Sequence, residues 1–206
     1  MTFNPERMFT TEERSVHRLT MPITSRLVIR RFERRDLDGV RDLFVRVNLE
    51  LAPPPLRDAF VAYIALALRE EIERIDEYYD SRHGSSFWVA TDAGRLAGMF
   101  GLERLDDEAV ELRRMYVEPA MRRSGIARLM LERAEELART HGFAKMILST
   151  SELQSAAIGL YRTAGYRLVR EQVATNATNK TVGSGVRRFY FEKLLTSDEG
   201  IIATEP

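Results

Sequence analysis

Two stretches of the chain combine residue types that can bind an anion and move a proton. Arg122, Arg123 and Gly125 stand where a long amphipathic helical pattern begins. The first amide groups of a helix have no partner and its dipole is positive there, so a pyrophosphate is stabilised at that end. Glycine lets a ligand come close to the main chain because it has no Cβ. Further along, Tyr161 offers a phenol that can donate a proton.

The elements around these residues indicate how they are positioned. Residues 109–117 alternate as a strand, and Pro119 stops the strand because proline has no amide hydrogen to donate. Residues 125–140 follow a helical pattern that ends at Gly142, and residues 145–150 form the next strand. A helical crossover of this kind makes the two strands parallel.

The remaining patterns predict one domain of mixed architecture. The other predicted helices span residues 36–47, 56–79 and 155–164, and the other predicted strands span residues 26–30, 87–90, 96–102, 166–173 and 188–194. The early strands have short connections and are therefore expected to be antiparallel. The expected fold class is α/β (α+β), with a mixed, mostly antiparallel sheet of six to seven strands, a central parallel pair and helices on both faces.

The domain is expected over residues 23–195, with an extension over 1–22 and a tail over 196–206.

Composition and charge exclude several kinds of protein. Lys plus Arg is 31 and Asp plus Glu is 31, so a general nucleic-acid or anionic-membrane binder is not expected. Cysteine is absent, and the three histidines lack metal-ligand spacing, so neither disulfides nor a metal site is expected. No secretory signal or membrane span is recognisable, which favours the cytoplasm.

Two motifs that occur in a particular order carry a resemblance to a known family. The motif Arg-x-x-Gly-x-Ala at residues 122–127, after Tyr-Val-x-Pro at 116–119, resembles the acyl-CoA signature of the GNAT N-acetyltransferase superfamily. The motif Ala-x-x-Leu-Tyr-x-x-x-Gly-Tyr at residues 157–166 resembles its second conserved segment. The resemblance implies that the two central parallel strands splay apart around acetyl-CoA, with no metal.

The resemblance also implies a set of residues that contact the cofactor. Backbone groups of Met115, Tyr116 and Val117 would pair with the pantetheine arm, as an added strand would. The amide of Val117 would polarise the thioester carbonyl. Tyr161 matches the tyrosine whose hydroxyl faces the cofactor sulfur and would protonate the leaving thiolate. The pyrophosphate cradle would comprise Arg122, Arg123, Ser124, Gly125, Ile126 and Ala127.

Ordinary structural roles are open for the same residues. Arg122 and Arg123 could be a solvated basic first turn, and Tyr161 could be a packed core tyrosine with a hydrogen-bonded hydroxyl. The family usually has asparagine where this chain has Gln154. Gln154 could contact the cofactor or form a capping box with Ser151, in which case Ser155 is the neighbour best able to replace it.

The general base is assigned to a carboxylate on the strand that leads to the thioester. Glu111 is the first candidate, while Glu103 and Glu152 are alternatives that could act directly or through a water. A half-exposed strand carboxylate without catalytic role is an equally good interpretation of each.

These residues together predict an N-acetyltransferase that moves an acetyl group from acetyl-CoA to a primary amine by direct attack. The acceptor is an amine of a small molecule, protein or peptide that the sequence does not identify, and the protein is expected to be a monomer or homodimer. Two alternatives stay open: a non-catalytic acyl-CoA-binding regulatory module, and an acyltransferase that uses a longer acyl-CoA.

Coenzyme A is expected to raise the melting temperature of the protein, whereas NAD is not. A ligand at about a hundred times its dissociation constant adds roughly 2.7 kcal/mol by mass action. The chain has no Gly-x-Gly-x-x-Gly unit that would hold a dinucleotide in the manner of a Rossmann fold. Thermal denaturation with each ligand is the measurement, and an unchanged curve at saturating coenzyme A would contradict the resemblance.

Overall fold

The protein contains a sheet of seven strands. The computed structural model describes residues 26–80 and 84–195. The strands are β1 (Leu27–Arg31), β2 (Ser86–Asp92), β3 (Arg95–Arg104), β4 (Ala109–Val117), β5 (Lys145–Ser151), β6 (Arg167–Ala174) and β7 (Val186–Leu194). The helices are α1 (Leu37–Leu51), α2 (Arg57–Glu70), α3 (Ile75–Asp80), α4 (Ile126–Thr140) and α5 (Ser155–Thr163). The predicted extension over residues 1–22 and the tail over 196–206 lie outside the described residues.

The strand order is β1-β2-β3-β4-β5-β7-β6. Every neighbouring pair is antiparallel except β4 and β5, which are joined through α4 and run parallel. The predicted fold class, a mostly antiparallel mixed sheet with a central parallel pair, is therefore confirmed.

The parallel pair separates after four residues of each strand. Pairing runs from Ala109 opposite Lys145 to Leu112 opposite Leu148. Beyond these positions β4 continues on β3, while β5 continues on β7 as far as Ser151. The sheet is thus split at its centre, and one side of the last part of β4 is left without a strand partner.

Helices cover both faces of the sheet, and the residues of β2, β3 and the first part of β4 are accordingly buried almost without interruption. On one face α1, α2 and α3 bury a cluster that includes Phe44, Ile64 and Met99. On the other face α4 and α5 bury a second cluster, in which Met130 and Phe100 have no exposed surface. The two clusters pack against the central strands from both sides and so fix the positions of β4 and β5 where they separate.

The predicted helix over residues 56–79 is wrong in one respect, since it is broken at Glu71. Helix α2 ends at Glu70, a short 3-10 turn spans Ile72–Arg74, and α3 follows. Glu71 has φ −139° and ψ −59°, outside the helical region, and its side chain is fully buried. The break turns this carboxylate toward the sheet instead of leaving it on a helix surface.

A bulge in β4 explains what Glu71 meets there. The register between β3 and β4 shifts between Met99 and Gly101, so β4 contains one extra residue, and Arg114 has φ +52°. Successive strand residues normally point to opposite faces. Here both Arg113 and Arg114 are buried and reach the same carboxylate, because the bulge rotates the chain between them.

A buried ion cluster of Glu71, Arg113 and Arg114 results, with Tyr79 as a further partner. The Glu71 carboxylate accepts hydrogen bonds from Arg113 at 2.6 Å, from Arg114 at 2.6 and 3.0 Å, and from the Tyr79 hydroxyl at 2.6 Å. Burial opposes ionisation, yet the charges of Arg114 and Arg113 lower the pKa of Glu71 below its usual value. Every strong hydrogen-bonding position of this carboxylate is therefore occupied.

Replacing Glu71 by alanine is expected to lower the free energy of unfolding by about 3–5 kcal/mol, because two buried guanidinium groups lose their counter-ion. The neighbouring Glu70→Ala is the control, since the Glu70 side chain is 43% exposed and should change stability by less than about 0.5 kcal/mol. Urea unfolding of both variants is the measurement. A similar, small effect of the two substitutions would contradict the structural importance of the cluster.

Candidate functional site

An open cleft occupies the gap between β4 and β5. Its empty volume is about 830 Å³. One wall is the second half of β4, and the other is the end of β5 with Gln154 before α5 and Tyr161 within it. Its polar and ionisable lining side chains are Asn48, Tyr63, Glu111, Arg113, Arg114, Tyr116, Ser149, Thr150, Ser151, Gln154, Tyr161, Lys180, Thr181 and Arg188. The cleft thus brings together five predicted site residues: Glu111, Met115, Tyr116, Gln154 and Tyr161.

The main chain of β4 presents free hydrogen-bonding groups to this gap. The amide of Glu118 donates to the carbonyl of Ala97 on β3 at 2.9 Å. Because hydrogen-bonded and non-hydrogen-bonded residues alternate in antiparallel pairs, the amide of Val117 points away from β3, and the bulge keeps Met115 out of regular pairing with that strand. The Val117 amide faces the side from which β5 has already departed. This edge has the geometry to pair with an extended, amide-bearing ligand.

The loop after β4 differs in one detail from the prediction. A 3-10 turn spans Pro119–Met121, and α4 begins at Ile126, so Arg122 and Arg123 precede the helix and do not form its first turn. Arg123 has φ +64° and Gly125 has φ +86°. Successive amides in such conformations converge to form a concave nest that suits an anion. The first amides of α4 add to the same nest, because helix starts leave them unpaired.

The two arginines of this loop have different surroundings. Arg122 makes a two-pronged ion pair with Glu50 at the end of α1, at 2.7 and 3.0 Å. Arg123 is exposed and has no ion-pair partner within residues 26–80 and 84–195. Arg123 is the arginine that is available to an incoming anion, whereas Arg122 would first have to leave Glu50.

Tyr161 packs as a core residue, but its hydroxyl makes no hydrogen bond to the described residues of the core. Its ring contacts Tyr166 and Phe191, with centroids 5.8 and 6.0 Å away, and the residue is 6% exposed. No described side chain or backbone group hydrogen-bonds the hydroxyl, which belongs to the lining of the cleft. Burial raises the pKa of Tyr161, so the phenol stays protonated at neutral pH. The group is a neutral proton donor that faces the gap.

Gln154 is held by its neighbours at the end of β5. Its Oε1 accepts hydrogen bonds from the Thr150 hydroxyl at 2.9 Å and from the Ser151 amide at 3.3 Å. Helix α5 begins at Ser155, so the capping box that would start it at Ser151 is not formed in full. Ser155 is exposed on the first turn and does not line the cleft, whereas Gln154 does.

The three candidate carboxylates have unequal access to the cleft. Glu111 lines it and is bound by the Lys180 ammonium at 2.6 Å. Glu103 is held by Arg113, Tyr78 and Lys180. Burial by itself would raise the pKa of Glu103, but the charges of Arg113 and Lys180 lower it below its usual value. Glu152 is exposed and accepts the Arg187 amide at 2.9 Å, outside the lining. Glu111 is therefore the carboxylate with the best access.

Sequence patterns did not reveal the cationic side of the cleft. Arg114 donates to the Tyr63 hydroxyl at 2.6 Å and to the carbonyl of Asn179, while Arg188 on β7 reaches Ser149. Two adjacent arginines in a mostly apolar strand were the available signal. They could be read as important only with the bulge and with Glu71, neither of which leaves a local pattern.

Comparison with known proteins adds the family. Residues 53–166 match the model of the Acetyltransferase (GNAT) family, which is more than half of the chain. The chain belongs to the GNAT acetyltransferase family. The chain is also 36% identical over 116 residues to N-acetylaspartate synthetase from Danio rerio, a match that covers 56% of this chain and 41% of that protein. The match thus spans less than half the length of this relative.

Solved structures show the same fold. The protein yncA from Salmonella typhimurium, whose structure contains its cofactor acetyl-CoA, has a TM-score of 0.63 at 19% identity, covering 86% of this chain and 99% of that one. Spermidine N-acetyltransferase from Vibrio cholerae, in complex with CoA and spermine, has a TM-score of 0.60 at 19% identity, covering 83% and 96%. Identities this low establish the shared GNAT architecture alone.

Two further observations concern metals and membranes. In residues 26–80 and 84–195, no group of three or more histidine, aspartate or glutamate side chains is arranged to hold a metal ion. None of the helices in this part of the chain has the length and apolarity needed to cross a membrane.

Gly125→Ala is expected to weaken coenzyme A binding at least about 10-fold, because a Cβ at φ +86° would distort the anion nest. Gly142→Ala is a matched control. Gly142 follows the other end of α4, has φ +83°, and has open space around its Cβ position. Both substitutions impose a left-handed alanine and should cost about 1–2 kcal/mol of stability.

Calorimetry with coenzyme A and thermal denaturation of the two variants separate binding from strain. Equal loss of affinity in both would show that the nest at Gly125 does not bind the ligand. Valine is a poorer probe than alanine here, since a β-branched side chain is strongly disfavoured at positive φ.

Proposed function

We propose that this protein is an acetyl-CoA-dependent N-acetyltransferase that acts on a primary amine. The observation that carries the proposal is the unpaired edge of β4, which faces the same gap as the Tyr161 hydroxyl and leads directly to the nest at Gly125. A free backbone edge, an anion nest and a proton donor are the features that an acyl-CoA needs along its length.

The residues present fit the donor in order along the chain. Backbone groups of Val117 and Met115 would hydrogen-bond its extended amide-bearing arm, and the amides from Arg123 to Ala127 would hold its phosphates, with Arg123 as counter-ion. Gln154 would contact the donor from the opposite wall. When bound, acetyl-CoA supplies an activated acetyl group. Membership of the GNAT family supports this assignment.

Proton movements in the proposed reaction involve two side chains. Glu111 would take a proton from the ammonium of the acceptor, so that the neutral amine can attack. Tyr161 would donate its phenolic proton to the departing sulfur, and its raised pKa keeps that proton in place until it is needed. The Val117 amide would stabilise negative charge on the carbonyl oxygen. No covalent link to the protein is required, because positioning brings the two substrates together.

We further propose that the acceptor carries a carboxylate beside its amine. Of the four cations in the lining, Arg113 and Arg114 are paired with buried Glu71, and Lys180 is paired with Glu111, which leaves Arg188. Arg188 has no carboxylate partner in the described part of the chain, and its guanidinium can bind an acceptor's carboxylate. The name of the relative N-acetylaspartate synthetase points in the same direction.

The non-catalytic alternative and the longer acyl donor make different predictions from this proposal. A binding module would be stabilised by coenzyme A without releasing free thiol in the presence of any amine. An enzyme for longer donors would release thiol faster with a longer acyl-CoA than with acetyl-CoA. The cytoplasmic location and the monomeric or dimeric state stay predictions.

Tyr161→Phe is expected to lower turnover by about 10²-fold, the low end for a general acid, because a coenzyme A thiolate is already a fair leaving group. The ring keeps its contacts with Tyr166 and Phe191, so stability and affinity for acetyl-CoA should stay close to those of the parent. Turnover and dissociation constant are measured in the same preparation. Unchanged turnover would return Tyr161 to a purely packing role.

A panel of amines tests the acceptor class. We expect aspartate and other amino acids to be acetylated in preference to spermidine, because Arg188 attracts a carboxylate and repels a polycation. Arg188→Gln should raise the KM for a carboxylate-bearing amine about 10-fold, the loss of one charge-assisted hydrogen bond, and leave the KM for an amine without a carboxylate unchanged. Preference for spermidine would contradict the proposed acceptor class while leaving the reaction type intact.

A further inference from the structure

One primary amine of the protein lies in the cleft against the proposed general base. Lys180 lies in the loop between β6 and β7, and its Nζ is 2.6 Å from Oε2 of Glu111 and 3.4 Å from Oε2 of Glu103. Glu111 is the carboxylate proposed to take a proton from the acceptor. The ammonium of Lys180 therefore stands against the proposed base, inside the cleft and 40% exposed.

The loop holds this amine in place through its main chain. The carbonyl of Asn179 accepts a hydrogen bond from buried Arg114, and Thr178 forms an isolated bridge with Thr181 across the tip. Val182, which follows, is 9% exposed and packs in the cluster under α1 and α2. Lys180 is thus delivered by an ordered turn and does not depend on a chance conformation of a surface side chain.

Lysine is scarce in this chain, which makes its position informative. Three of the 31 lysine and arginine residues are lysines: Lys145, Lys180 and Lys193. Lys180 is the one that lines the cleft in the described residues. Lys193 offers a close comparison, since its Nζ is 2.7 Å from Oε2 of Glu135 on α4, outside the cleft. Two lysines thus have nearly the same carboxylate contact, and they differ in access to the site.

We propose that Lys180 is acetylated by the active site of its own chain. The inference rests on the proposed N-acetyltransferase function. Glu111 takes one proton from the Lys180 ammonium, and Nζ attacks the carbonyl carbon of the acetyl thioester. The N–C bond forms and the C–S bond breaks. Tyr161 supplies the proton to the sulfur. Both protons that the nitrogen loses pass through Glu111: one is released to solvent and the other, carried by solvent, restores the phenol of Tyr161, so that the products are acetyl-lysine, coenzyme A and one proton.

Acetylation changes the cleft because it removes a cation. An acetylated Lys180 is neutral and no longer pairs with Glu111 or Glu103. The first acetyl group transferred therefore frees the base and opens the space beside it for the amine of an external acceptor. Self-acetylation in this scheme is an activation step, and a lag in turnover is expected when the purified, unmodified protein first meets acetyl-CoA.

The test uses the full chain incubated with acetyl-CoA alone, followed by mass spectrometry of peptides that contain each lysine. We expect the Lys180 peptide to gain one acetyl group at a rate independent of protein concentration, and the Lys193 peptide to stay unmodified. Glu111→Gln should slow modification of Lys180 by about 10²-fold or more, with no effect at Lys193. Tyr161→Phe is the second variant and should slow it as well.

Several outcomes would overturn the inference. Equal modification of Lys180 and Lys193 would indicate chemical acetylation by the thioester, and a rate that rises with protein concentration would indicate transfer between molecules. An unmodified Lys180 in a preparation that acetylates an external amine would disprove self-acetylation and leave the proposed function standing. If the protein neither binds coenzyme A nor acetylates any amine, the proposed function fails, and the inference fails with it.

Discussion

The buried carboxylate of Glu71 is the constraint on which the cleft depends. It lies between Arg113 and Arg114, and its fully buried position means that neither charge can be satisfied by water. A carboxylate removed from water is stable only when its partners are close and well oriented. The bulge at Arg114 is what brings both guanidinium groups to one side of β4. Ion cluster and bulge therefore require each other.

The rest of the site follows from that arrangement. The helix must break at residue 71 for the carboxylate to reach β4, and α3 then places the Tyr79 hydroxyl on it. Tyr79 fits only because Gly101 on β3 has no Cβ, which would lie 2.5 Å from the hydroxyl oxygen. Arg114 in turn holds Tyr63 and the loop that carries Lys180. One buried charge thus connects helices, strand and loop around the cleft.

Local patterns predicted the elements but not the long-range contacts between them. The strand over 109–117 was recovered with its bounds, since alternation and Pro119 are signals within a few residues. Glu71 lies in a stretch whose pattern predicts one continuous helix. No residue near it in the sequence indicates that its carboxylate is buried against two arginines more than forty positions later. The contact between Lys180 and Glu111 escaped for the same reason. The motif at residues 122–127 could be named from the sequence because its residues are consecutive, and its binding of a phosphate stays a prediction.

The use of arginine in the wall of the cleft has a chemical consequence. A lysine that loses its proton becomes a nucleophile, whereas a guanidinium stays charged and unreactive. Although burial opposes it, the neighbouring Glu71 carboxylate holds the pKa of Arg113 above its usual value. Positive charge in this wall is therefore permanent and inert toward an activated ester. An activated ester bound in the cleft therefore cannot acylate the arginines that hold the wall together, however many times the reaction is repeated.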